Sequence, residues 1–381
     1  MTSRASFFRL LFVALLPFLL TSAAQQVQPS SSGLEALRPF WLSSKMEGES
    51  VLFIQSNDGP PQASLLFQPT RILKVNDSSG EVTYAQGRDF AWKPGSKEIT
   101  LLSGSRVVFK TPQELRRPAK SQPYVLTHRD GMGEILFGGG HEYHDMQTVV
   151  TYEHADAWAG PVPTFASDQL PHTIKKLSQE KTLSIALLGD SISTGCNSSG
   201  WARTAPFQPA YQDLFAKNLE AAYGANVVLK NFSVGGTDTA WGITMMRKLI
   251  DAAPDLVILA FGMNDCARRS AKEYQDNISA MVNALRKACP SSEVVLVASM
   301  VGNADWTALR QERFPQYRDA LEKLTQPGVA LADMTSFWIE MLKHKKDWDL
   351  TGNGVNHPND FGHRVYAQVL SSLLIRYPLQ K

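Results

Sequence analysis

Four short blocks hold the residues whose types could do chemistry together. They are Gly189-Asp190-Ser191, Asn231 with Gly235-Gly236 in NFSVGG, Asn264 in GMND, and His357 at the head of HPNDFGH. A serine hydroxyl is a weak nucleophile until a base takes its proton, and an imidazole is the usual base. The tetrahedral intermediate of acyl transfer needs donors for its oxyanion. Glycine lets a backbone N–H come close, and an asparagine amide supplies another donor. Ser191 as nucleophile, His357 as base, the Gly235-Gly236 pair and Asn264 therefore point to acyl transfer.

Each block must be held at a fixed place, and the pattern around it predicts how. Apolar runs end just before three of them: LSIALLG before Ser191, NVVLKNFSV before the glycine pair and DLVILAFG before Asn264. EVVLVASM and a weaker VALADM continue the series. Helical patterns are expected near 209–223, 239–252, 271–288, 307–325 and 360–375. Continuous apolar strands alternating with helices predict an α/β fold, a parallel sheet with helices on both faces. Ligands of such sheets bind beyond the carboxyl ends of the strands, where the blocks fall. Residues 33–160 read differently. SVLFIQ, ASLLFQ, RILKVN, VTYAQG, EITLL, RVVFK, EILFGG and QTVVTYEH are short and separated by turn-rich segments, which predicts a β-sandwich or jelly-roll domain without helices. The division expected is a hydrolase-type domain over 171–381 behind that β domain. The joining segment GPVPTFASDQLPH is too short and Pro-rich for a free tether, so the β domain should pack on the carboxyl rim of the sheet and help to shape the site.

Taken together, the four blocks resemble the SGNH, or GDSL-type, hydrolase superfamily, in order and spacing, over about 181–378. The resemblance implies a three-layer α/β/α domain with Ser191 as nucleophile and His357 as base. It also implies an oxyanion hole made by the Ser191 N–H, the Gly236 N–H and the Asn264 side chain. Gly236 is chosen over Gly235 because it lies five residues past Asn231. The superfamily places an Asp three residues before the His; here that position is Gly354. The expectation is a Ser191–His357 dyad whose third partner is neutral, either a backbone carbonyl or the Asn353 side chain. Asp349 is further off, and Asp360 reads as part of a helix cap. A β domain ahead of such a hydrolase resembles carbohydrate esterase family 2 and related acetyl esterases. That likeness implies a carboxylic ester hydrolase removing short acyl groups, acetyl first, from an acylated carbohydrate with no metal or organic cofactor. The alternatives are a lipase or lysophospholipase of the same superfamily, and an inactive carbohydrate-binding protein.

Other residues read as structural. Asp190 is expected to anchor its own turn and Asp265 and His363 to support the fold. His141 and His144 in HEYHD suit a loop packed against the catalytic domain better than a metal site. Trp201, Trp241 and Trp306 fall near strand-end loops and could stack on a sugar or fill the core. Cys196 and Cys266 follow the first and third blocks and are candidates for a disulfide.

The start of the chain carries Arg4 and Arg9, the run LLFVALLPFLL and then TSAAQQ. This predicts a signal peptide over 1–24 cleaved after Ala24, then a polar linker over 25–32 and a secreted or periplasmic protein. Removing those two arginines leaves 36 basic against 36 acidic side chains, a balance that suggests neither nucleic acid nor an anionic membrane as partner. No second long apolar run follows, so no integral membrane segment is expected in the mature chain.

Overall fold

The computed structural model describes residues 37–377; the expected signal peptide and linker, residues 1–32, lie outside them. The β-rich half is built from short strands. β1 (Lys45–Val51), β4 (Pro69–Asp77) and β10 (Thr148–His154) form an antiparallel sheet in the order β1-β10-β4. Between them in sequence, β2 (Phe53–Ile54), β3 (Gln62–Ser64), β5 (Phe90–Trp92), β6 (Glu98–Leu101) and β7 (Phe109–Lys110) form a second sheet, and β8 (Arg116–Arg117) pairs with β9 (Glu134–Ile135). Val75, Val150 and Tyr152 from the first sheet share one core with Phe53, Ile99 and Leu101 from the second. Two readings change here. VTYAQG makes only isolated bridges, with Tyr84 buried but no ladder. HEYHD forms a short helix, Glu142–Met146.

In the α/β half, β11 (Thr182–Gly189), β12 (Asn226–Asn231), β13 (Leu256–Ala260), β14 (Glu293–Ala298) and β15 (Val329–Asp333) make a parallel sheet in the order β12-β11-β13-β14-β15. Central β13 and β14 are buried throughout, as a sheet covered on both faces requires, while edge strand β12 is largely open. Helix Tyr211–Tyr223 packs with Asp360–Leu374, and Thr239–Asp251 packs with Ala271–Ala288. The fourth expected helix is shorter than read, Arg313–Glu322, and Met334–Leu342 is a helix not foreseen. The latter is only nine residues long; it buries Met334, Phe337, Trp338 and Met341 on one face, while Ile339 is exposed.

The two halves are joined by buried polar contacts. Lys345 and Glu49 have no exposed side-chain surface and pair at 2.6 Å; Lys345 Nζ also donates to Ser64 O at 2.9 Å. Tyr152 OH donates to the other Glu49 oxygen at 2.6 Å. Asp349 Oδ1 accepts from Leu52 N, and Asn359 Nδ2 donates to Ser50 Oγ and Gln147 Oε1. The joining segment and Trp158 just before it lie against the α/β half: Trp158 stacks on Phe337 with centroids 5.0 Å apart, and Ala166 N donates to Leu373 O.

Candidate active site

The strand order reverses direction about β11: its sequence neighbours β12 and β13 lie on opposite sides of it. The crevice at such a switch point is where open α/β sheets bind ligands. Ser191 leaves β11 into a turn fixed by Asp190, whose carboxylate accepts from Ile192 N and whose carbonyl accepts from Ser193 N and Thr194 N. Complete burial raises Asp190 to about 7. Asn231, at the end of β12, donates to Ser193 O at 2.7 Å, and so ties the glycine-pair loop to the serine turn. Gly236 needs its missing side chain, because its φ is +77°. Gly235 lies close by; a Cβ there would be 3.7 Å from the Ser191 Cβ.

Asn264 begins the short helix Asp265–Arg268 but makes no side-chain cap; its Nδ2 donates to Thr237 O at 2.9 Å, and its second amide hydrogen is left over. The N–H groups of Ser191 and Gly236 donate to no protein acceptor among the described residues. Asp265 holds the start of the neighbouring helix through Thr239 N and Oγ1.

His357 sits on a loop folded around Asn353, whose Oδ1 accepts from the N–H groups of Val355, Asn356 and His357. Its Nε2 stands 2.8 Å from Ser191 Oγ. Its Nδ1 stands 2.8 Å from Asn197 Oδ1. The neighbour of the ring is thus neutral, but it is not Asn353, because Asn353 is committed to the backbone of the loop. Asp349 binds Leu52 N and Lys346 N, and Asp360 binds Ser199 N at 2.7 Å. The helix cap is Asn359, which accepts from Gly362 N. Burial with no opposing carboxylate lowers His357 to about 4. Neutral imidazole, the form that can accept the Ser191 proton, is therefore the resting state over most of the pH range.

Gly354 explains the missing acid. Its φ is +76°, and a Cβ on it would lie 2.1 Å from Tyr143 OH. Tyr143, buried in the β-rich half and donating to Leu136 O, fills the space a side chain at that position would need.

A cavity of about 850 Å³ opens over Ser191 and His357. Gly235, Gly236, Asn264, Trp201 and Trp306 line it from the α/β half, and Pro123–Leu126, Phe137 and Glu142 from the β-rich half. Trp241 is elsewhere, edge-on to Phe261. His144 is buried and bonds Ala205 O, His141 pairs with Asp145, and no cluster of three or more metal-ligating side chains occurs among the described residues. His363 is buried between Tyr211 N and Cys196 O. The disulfide considered between Cys196 and Cys266 is not formed. Both thiols are free, with Cys266 turned to Arg310 O and Cys196 to Thr194.

Sequence reasoning placed the β domain beside the site, as the lining by residues 123–126, 137 and 142 bears out, but missed Asn197, Tyr143 and which residues form that wall. Asn197 has a φ of +64°, which asparagine tolerates better than most residues. Its place after Gly195 in TGCNSS was the one available signal.

Comparison with curated proteins yields no match. Similar solved structures include the lipase Lip_vut3 from a goat rumen metagenome, at 16% identity over 49% of this chain and 95% of that one, TM-score 0.40. An acetyl xylan esterase, AlAXEase, is 20% identical over 51% and 100%, TM-score 0.41. The lipase/acylhydrolase from Enterococcus faecalis is 18% identical over 50% and 93%, TM-score 0.40. Residues 187–365, within the α/β half, match the family model of the GDSL-like Lipase/Acylhydrolase family.

Proposed function

We propose that the protein is an exported serine esterase that removes short acyl groups, acetyl above all, from a carbohydrate. The observation that carries this reading is the 2.8 Å contact of Ser191 Oγ with His357 Nε2, on the floor of a cavity where unpaired N–H donors converge. Ser191 attacks the ester carbonyl as His357 takes its proton. The Ser191 and Gly236 amides and the free Asn264 hydrogen receive the oxyanion, and His357 returns the proton to the departing sugar oxygen. Water then repeats the sequence on the acyl-enzyme. The sugar is inferred from aromatic side chains at the mouth: Tyr124 and Trp201 keep 58% and 43% of their surface exposed there and offer flat faces to a ring. Export is inferred from the leader-like first 24 residues.

The test is hydrolysis of p-nitrophenyl esters of increasing chain length, alongside acetate release from acetylated glycans. The reading expects acetate esters to be preferred and at least one glycan to be deacetylated. Preference for long acyl chains would favour a lipase, and no turnover at all a binding protein.

A further inference from the structure

Resting on the reading of Ser191 as nucleophile, we propose that Asn197 is the third member of the constellation. It acts as a positioning residue whose Oδ1 holds the Nδ1–H tautomer of His357, and carbonyls from both halves of the chain lock its amide. Only an imidazole with its proton on Nδ1 presents a lone pair on Nε2 to Ser191. Asn197 Oδ1, 2.8 Å from Nδ1, is the acceptor that selects this tautomer.

The orientation of the amide is fixed by its other end. Asn197 Nδ2 donates to Gly352 O at 3.1 Å, to Gly140 O at 3.0 Å and, at longer range, to Gly138 O at 3.3 Å. Three carbonyl oxygens around one atom require a donor there, so the flipped amide, with its oxygen among them, is repelled. The same three oxygens explain why the residue is not an aspartate: its second carboxylate oxygen would face them with no hydrogen to offer. The chain is shaped for this contact. A Cβ on Gly352 would lie 2.6 Å from the Asn197 Cβ, and the usual acid position is closed by Tyr143 against Gly354. The carboxylates nearest in sequence to Ser191 and His357 are engaged elsewhere: Asp190 with Ile192 N, Asp349 with Leu52 N and Asp360 with Ser199 N. Gly138 and Gly140 belong to the β-rich half. That half therefore contributes to the proton-transfer step as well as to the cavity wall.

The test combines imidazole nitrogen NMR with kinetics on p-nitrophenyl acetate, His357 being assigned by the signal lost in His357→Ala. The wild type should show Nδ1 protonated and Nε2 bare. In folded Asn197→Ala the signal should move toward the Nε2–H tautomer, and kcat should fall about 10²-fold or more with KM little changed. Asn197→Asp keeps an acceptor oxygen but loses the donor, so it should retain the Nδ1–H tautomer and a kcat above that of the Ala variant at a lower Tm. A wild type with its proton on Nε2 overturns the proposal without any variant. So does a folded Asn197→Ala that keeps both tautomer and kcat. A wild type with the expected tautomer but no turnover on any ester defeats the esterase reading alone.

Discussion

In the α/β half, the groups that face the cavity are side chains and amides placed at strand ends: Ser191 after β11, Gly236 after β12 and Asn264 after β13. In the β-rich half they are of another kind. Gly138 and Gly140 offer carbonyl oxygens, Tyr143 occupies volume, and Pro123–Leu126 and Phe137 form a wall. One half carries reactive groups on a rigid sheet; the other fixes their orientation with backbone atoms and packing. A site divided this way should fail differently according to which half is disturbed.

The largest effect should come from removing the β-rich half. Residues 171–381 alone would expose Phe337 and the other apolar surface that the β-rich half covers, and would strip Lys345, Asp349 and Asn359 of their partners there. The fragment is expected to be unfolded or aggregated by circular dichroism and inactive. A folded, fully active fragment would dissolve the comparison. Next comes the oxyanion side. Asn264→Ala should lower kcat about 10²–10³-fold, with the melting temperature little changed. Gly354→Ala probes the opposite half. The new Cβ meets Tyr143 OH in a left-handed backbone conformation, so it should lower Tm by several degrees and slow turnover through displacement of His357. Unchanged Tm and kcat would mean that Tyr143 does not shape the loop.

A smaller and more discriminating effect lies in the pH profile. Protonated His357 cannot act as base, and burial holds it at about 4, below its ordinary 6.5. Activity should therefore persist as pH falls through 6.5, and the acid limb of kcat/KM should appear near 4 to 5. A limb at or above 6.5 would indicate a carboxylate raising His357.

These regions also differ in how far they could be read from sequence. The α/β half was legible because continuous apolar strands and one-sided helices are periodic, and because glycine, serine and asparagine at strand ends have few other reasons to be there. The helix Met334–Leu342 escaped because it is only nine residues long and its exposed Ile339 blurs the stripe made by Met334, Phe337, Trp338 and Met341. The β-rich half gave up its strands and its place over the carboxyl rim of the sheet, but not the groups it uses there. A carbonyl of Gly138 acts through the backbone, which every residue shares, and Tyr143 acts through the space it fills. Asn197 escaped for a related reason: six residues past Ser191, it meets His357 only once the loop has turned through its left-handed conformation. The absence of an acid at Gly354 was plain in the sequence; what replaces it became visible only when two distant segments were placed together.

The most direct test of the central claim is covalent trapping. The protein is exposed to a reactive organophosphonate ester, digested and analysed by peptide mass spectrometry, with Ser191→Ala in parallel. The account predicts a single modified peptide carrying Ser191, no modification in the variant, and a variant that is folded but does not hydrolyse p-nitrophenyl acetate. A label on another residue, or turnover surviving in folded Ser191→Ala, would contradict it.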